Sequence, residues 1–199
     1  MRGIEQIPWV YDALCAVSER TGLGRWRRWL AAGARGRTLD LGCGTGRTLP
    51  LLPPGVRAVG VDPSADVLRR ARQRAPGVPL VRGEAEALPF RDGVFDTVLT
   101  GLVFCGVPDA PRGLGEVRRV LAPGGSLRML EHVRSLRPWK ARLQDAIQPA
   151  WTRITGGCRP NRDTERTVEA AGFRIEPDGR RAKGDMRRFS ARPADAWRM

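Results

Sequence analysis

The stretch Leu39-Asp40-Leu41-Gly42-Cys43-Gly44-Thr45-Gly46 decides the fold. An apolar run from Arg37 to Leu41 leads into it and predicts a strand. Thr45 to Leu52 predicts the helix that follows, ended by Pro53-Pro54. A glycine loop between a strand and a helix brings the backbone close to a ligand. The glycines recur as Gly42-x-Gly44-x-Gly46. That is not the G-x-G-x-x-G of dinucleotide enzymes, where a helix N-terminus receives a pyrophosphate. The loop suits a ligand end bearing an ammonium and a carboxylate. Asp40, at the strand's end, adds negative charge for that ammonium or for the loop amides.

Outward from the loop, short apolar runs alternate with longer amphipathic ones, which predicts an α/β domain with a parallel sheet. Helices are expected at Ile7 to Leu14 and Gly24 to Ala32, broken by Thr21-Gly22. Strands are expected at Arg57 to Val61, Val78 to Arg82, Phe95 to Gly101 and Ser126 to Val133. Ser64 caps an expected helix reaching about Ala75, with Asp66 in its first turn. Further helices are expected at Ala110 to Leu121, stopped by Pro123-Gly124-Gly125, and at Pro138 to about Thr155, with Pro149 as a kink or break. Asp163 to Ala171 is a last helix, with Asn161 or Asp163 as its cap. Phe173 to Glu176 and Met186 to Ala191 form a closing hairpin at the sheet edge.

Four loops then fall at the carboxyl ends of strands, where open α/β sheets bind ligands. The glycine loop is the first. Asp62 of Asp62-Pro63-Ser64 ends the second strand, and an acidic residue about 20 positions beyond such a loop accepts both ribose hydroxyls. Glu84, in Gly83-Glu84-Ala85 after the third strand, offers a carboxylate to an adenine amino group. The run Thr100 to Phe104 ends the fourth strand beside a methyl donor. The ligand read from this series is S-adenosylmethionine (SAM), bound by Asp40, Gly42, Cys43, Gly44, Gly46, Asp62, Pro63, Glu84, Ala85, Thr100 and Leu102.

LDLGCGTGR (Leu39 to Arg47), VGVDPS (Val59 to Ser64), GEAEALPF (Gly83 to Phe90), FDTV (Phe95 to Val98), EVRRVLAPGG (Glu116 to Gly125) and LEHV (Leu130 to Val133) resemble a class I SAM-dependent methyltransferase of the ubiquinone/menaquinone C-methyltransferase branch. The resemblance implies a Rossmann-like α/β fold: a seven-stranded, mostly parallel sheet with helices on both faces and an antiparallel last strand. It implies one domain: an N-terminal helical lid (1–34), a SAM-binding core (35–134), and acceptor-side helices with closing strands (135–199). LEHVRS, LQDAIQPAW and GGCRPNRDTERTVEAAGF (Gly156 to Phe173) are similar to the methyltransferase-like thiol methyltransferases and their bacterial relatives, some of which act on phosphatidylethanolamine. Tyr11-Asp12 resembles the Tyr-Asp of the lid helix in quinone methyltransferases, which adds Tyr11 to the cofactor contacts. Glu84 stands where that family more often has Asp.

Composition bounds the function further. The chain has 199 residues, 41% of them apolar and 28% charged, as in a soluble globular domain. No apolar run approaches the roughly 20 residues that span a bilayer, and no secretory signal is seen, so the cytoplasm is the expected compartment. Cys15, Cys43, Cys105 and Cys158 lack metal-ligand spacing, so no metal site is expected and reduced thiols are. The net charge is +14 and nearly all of it is arginine, Lys140 and Lys183 being the lysines. The arginines are spread along the chain, as on a solvated surface, while the charge also favours phospholipid head groups, nucleic acid or acidic metabolites.

SAM is an activated electrophile, so the protein must align the acceptor and exclude water. His132 is the only histidine. It ends the fifth strand and is the candidate general base, or else a hydrogen-bonded residue shaping the pocket. Glu131 points to the opposite face of that strand, which argues against direct pairing. Cys105 and Cys158 are placed toward the acceptor cavity. Trp9, Trp26, Trp29, Trp139 and Trp151 suit either an apolar acceptor or membrane surface, or helices packing on a sheet. The expected acceptor is a small or lipid-like thiol, amine or quinone. Alternatives are a phospholipid N-methyltransferase with peripheral membrane association, and a SAM-binding regulator without turnover. A nucleic-acid methyltransferase is not the expected reading, because the sequence shows neither an appended binding domain nor an Asn-Pro-Pro-Tyr-like motif. A monomer or a homodimer is compatible with the sequence.

Overall fold

The computed structural model describes residues 22–194. The expected helix Ile7 to Leu14, with Trp9 and Tyr11, lies outside the described residues. Helix α1 (Gly24–Ala32) precedes β1 (Arg37–Leu41), β2 (Arg57–Asp62), α2 (Ala65–Arg74), β3 (Leu80–Arg82) and β4 (Phe95–Gly101). Helix α3 (Ala110–Val120), β5 (Leu121–His132), α4 (Pro138–Thr155) and α5 (Thr164–Ala170) follow, then β6 (Phe173–Ile175), β7 (Arg181–Lys183) and β8 (Met186–Pro193).

The strands form one sheet in the order β3-β2-β1-β4-β5-β8-β6, with β7 paired to β8. Strands β1 to β5 run parallel, and β8 runs antiparallel to both β5 and β6. The expected closing hairpin therefore exists, with β8 inserted between β5 and β6. The short β7 makes the sheet eight-stranded rather than seven-stranded.

Alternation along the central strands builds a core on each face. Val98 and Met129 join Leu114 and Val117 of α3 on one face; Leu99 and Leu130 meet Leu30 of α1 on the other. Arg128 fastens α1 to the sheet. Its guanidinium donates to the carbonyls of Trp29 and Leu30 at 2.6 and 3.2 Å and lies 4.0 Å from the centre of the Trp29 ring. These bonds satisfy carbonyls at a helix C-terminus. Trp26 and Trp29 are thus packing residues on α1.

Three local expectations change. Thr45 to Leu52 is not an α-helix but a set of turns and a 3-10 turn at Leu49–Leu51. Arg74 of α2 donates to both the carbonyl and the hydroxyl of Thr45, and Pro50 lies inside the 3-10 turn. Ser64 stands at the N-cap of α2, but its side chain makes no capping bond. Helix α4 runs through Pro149 without a break. Asp163, as expected, caps α5 by accepting from the Arg166 amide.

Glu131 joins the end of β5 to the loop after β4. It is fully buried. Its carboxylate accepts from the amides of Val103, Phe104 and Cys105 at 3.1 to 3.3 Å and from the Thr100 hydroxyl at 3.3 Å. Burial still pushes it up to about 7. Removing the acceptor leaves buried donors unsatisfied, which is expensive. Glu131→Ala is expected to lower the unfolding free energy by about 3 kcal/mol or more in urea titrations, and Glu131→Gln by far less.

Candidate active site

The cofactor loops assemble by direct contacts between strand ends. Gly42, Gly44 and Gly46 have φ values of +63°, +53° and +78°. Two of them have a second reason to be glycine. A Cβ on Gly42 would lie 2.5 Å from the Val103 side chain, and one on Gly46 would lie 3.0 Å from the Cα of Ala71. The loop is therefore pressed between α2 and the loop after β4. Asp62 locks it from the next strand, its Oδ2 accepting from the Gly44 amide at 3.0 Å and its Oδ1 from the Ser64 amide at 2.9 Å. Burial pushes the Asp62 carboxyl upward, against those two amides.

The third loop joins through the Gly83 amide, which donates to the Asp62 carbonyl at 3.3 Å. Glu84 is exposed at this edge, whereas Ala85 is buried in the core. The fourth loop carries Leu102, the non-glycine residue with positive φ (+63°) among the described residues. Its amide donates to the Leu130 carbonyl at 2.7 Å. A leucine in this region stores backbone strain, as ligand-binding turns often do. Thr100 is fully buried and its hydroxyl donates to Glu131, so its side chain braces the loop. Pro63 is exposed beside Asp62, and its carbonyl accepts from Arg82. The fold thus gathers Asp40, Gly42, Cys43, Gly44, Gly46, Asp62, Pro63, Glu84, Ala85, Thr100 and Leu102 along one edge of the sheet. Tyr11 lies outside the described residues.

Asp40 and Arg27 supply opposite charges under the glycine loop. Asp40 is 2% exposed, and its Oδ2 has no hydrogen-bond partner. Arg27 projects from α1 into the same recess, which Thr45, Thr48 and Gly101 also line, and donates to the Thr48 hydroxyl at 3.2 Å. Burial raises the Asp40 carboxyl to about 7, opposed by the Arg27 charge and helped by Asp62. A buried acceptor atom beside a buried cation fits the ammonium and carboxylate of the methionine end of SAM. Cys43 is buried between these carboxylates, and burial pushes its thiol well above the usual range.

On the other side of the loop after β4, His132, Cys105 and Cys158 meet. The segment after α4 folds over the loop after β4: the Arg159 amide donates to the Cys105 carbonyl at 2.7 Å, and Arg162 donates to the carbonyls of Phe104 and Val107. Cys158 is buried, and its sulfur is hydrogen-bonded to Cys105, His132 and Trp151. Those partners, Cys105 first, draw its thiol below the usual thiol range against the penalty of burial. His132 is exposed on its other side.

The sequence reading singled out His132, Cys105 and Cys158 separately but not their contact. It missed Arg27, one arginine among many on an amphipathic helix. It also missed the clamp by Glu131, whose carboxyl feels the charge of His132 as well.

Asp40 gives the site a pH dependence with a definite sign. Its raised pKa means that Asp40's contribution to the stability of the ligand-free fold is fully present below the ordinary carboxyl range and is lost as pH rises from there through about 7. An ammonium ligand favours the charged carboxylate, so SAM affinity is expected to tighten as pH rises through about 7. Calorimetry on Asp40→Asn should show a flat pH response and a loss of roughly tenfold or more.

Comparison with known proteins agrees with this geometry. Residues 39–129 match the model of a methyltransferase domain. The chain is 34% identical over 152 residues to thiol S-methyltransferase TMT1B of Homo sapiens, covering 71% of this chain and 62% of that protein. It is 41% identical over 118 residues to demethylmenaquinone methyltransferase of Thermus thermophilus, covering 54% of each. The chain thus spans less than two thirds of either relative. In fold it is similar to an S-adenosylmethionine-dependent methyltransferase from Mesorhizobium loti, with a TM-score of 0.62 and 20% identity, over 84% of this chain and 96% of that one. With the glycine loop, Asp62 and the Asp40–Arg27 recess converging on one strand edge, residues 39–129 form a methyltransferase domain, and SAM is its cofactor.

Proposed function

We propose that this chain methylates the sulfur of a small, apolar thiol, with His132 as the proton acceptor. The contact of His132 with Cys158 beside the loop after β4 carries the reading. Bound SAM supplies a methyl group on a sulfonium sulfur. The residues of this chain must hold the acceptor in line with it, exclude water and take the acceptor's proton.

A free thiol has a pKa near 8.5, so an acceptor thiol is mostly protonated at neutrality. His132 takes that proton as the new carbon–sulfur bond forms and the old one breaks. The low-pKa sulfur of Cys158 faces the imidazole and balances the positive charge that develops on it. Cys105 and Trp151 hold that sulfur in turn. This repeats a general arrangement: a base oriented by a third group. Arg162 and Glu131 fix the loop against which the acceptor lies. The thiol S-methyltransferase relative supports sulfur as the acceptor atom over nitrogen or carbon. Residues 22–34 serve as part of a lid, 35–134 as the cofactor core, and the segment after 135 as the acceptor side. The unbridged contact of Cys105 with Cys158 suits the reducing cytoplasm.

Two measurements test the reading. His132→Ala is expected to lower kcat for an alkyl thiol roughly 100-fold near neutrality while leaving SAM affinity unchanged. The deficit should shrink as pH rises past the thiol's own pKa, because the acceptor then ionises unaided. An equal deficit at every pH removes the base role. The ultraviolet absorbance of a thiolate should titrate below the ordinary thiol range in the native protein, and that phase should vanish in Cys158→Ser.

A further inference from the structure

Helix α4 carries an apolar stripe that is exposed and that no described residue covers. Trp139, Leu143, Ile147 and Trp151 recur every four residues, with Ile154 on the same face and Leu136 just before the helix. Their exposures run from 42% to 85%. Single exposed apolar residues are ordinary, but six large ones along one helix are not.

The helix cannot roll the stripe inward, because its other face is fastened. Gln144 is buried; it accepts from the Ser135 amide at 2.8 Å and donates to the carbonyls of Val133 and Pro160. Thr152 donates to the Cys158 carbonyl at 2.9 Å. Ala141 and Thr155 are buried on the same side. Asp145 is held by Arg134 at 2.7 Å and by Asn161 at 2.9 Å.

Charge identifies what the stripe meets. From Arg134 to Arg159 the chain carries Arg134, Arg137, Lys140, Arg142, Arg153 and Arg159, against Asp145 as the one acid. A second copy of this face would set like charges against each other. Two tryptophans near the ends of an apolar stripe, with cations flanking it, match a helix lying at the head-group level of a membrane. We propose that α4 is a docking surface for an anionic lipid bilayer, lying in its plane with Trp139, Leu143, Ile147, Trp151 and Ile154 among the acyl chains and the flanking arginines on the lipid phosphates.

Trp151 belongs to the stripe and also touches Cys158, so the docked face ends at the acceptor side. An apolar acceptor dissolved in the bilayer then reaches the site without crossing water. That consequence rests on the acceptor reading above, whereas vesicle binding tests the surface alone.

The experiment is co-sedimentation of the full chain with vesicles of phosphatidylcholine, with and without phosphatidylglycerol. Binding is expected to the anionic vesicles, to weaken with salt, and to be at least roughly tenfold weaker without phosphatidylglycerol. Trp139→Ser/Leu143→Ser/Ile147→Ser should abolish it, and Arg142→Glu/Arg153→Glu should remove the preference for anionic lipid. Retained SAM affinity certifies that each variant is folded. Failure of the native chain to bind anionic vesicles overturns the proposal, as does undiminished binding by the triple variant. It is equally overturned if lipid-free protein is a dimer that the triple variant dissociates, or if an acidic protein rather than the bilayer competes for the stripe.

Discussion

The buried carboxylate of Glu131 is the constraint on which the two halves of the site depend. Backbone amides in a loop that leaves a sheet have no ladder partner, and burial without one is costly. Glu131 gathers three of them at the point where β4 ends. The loop it holds presses Val103 over the glycine turn on one side and presents Cys105 to Cys158 on the other. The glycine turn and the Cys105–Cys158–His132 cluster thus share one clamped segment.

The cofactor side is built to be charged by its ligand. Asp40 sits in a recess from which water is largely removed, so burial opposes its ionisation, which the Arg27 charge favours and an ammonium would favour further. Arg27, delivered by α1, is the matching group for a carboxylate. Arg128, which grips the end of α1, fixes the helix from which Arg27 enters the recess. Pre-placed opposite charges in a desolvated recess favour a zwitterionic ligand end over either charge alone.

The Cys158 side, proposed as the acceptor side, follows a different logic. It is made by residues after β5, where α4 and the turn following it fold back over the loop after β4. One face of α4 is spent on polar ties that place Cys158; the other carries a stripe with no partner among the described residues. A helix with both properties couples the inside of the site to whatever lies outside it.

The local signals in the sequence were strong enough to define the cofactor half. A strand, a glycine turn and an acid about 20 residues on depend on interactions short in sequence, and the bounds of β1, β4, α1 and α4 follow from periodicity and terminators. The expected helix after the glycine loop failed because Arg74, far along the chain, takes the carbonyl of Thr45. Pro149 could not announce that α4 continues through it, since the other ties of that helix hold it. The meeting of His132 with Cys158, the entry of Arg27 beneath Asp40 and the grip of Glu131 join residues distant in sequence, and in an arginine-rich chain nothing local marks one arginine as buried. Periodicity showed that α4 is amphipathic. Only the tertiary structure decided that its apolar stripe faces outward, because the polar ties of Gln144 and Thr152 take the inner face.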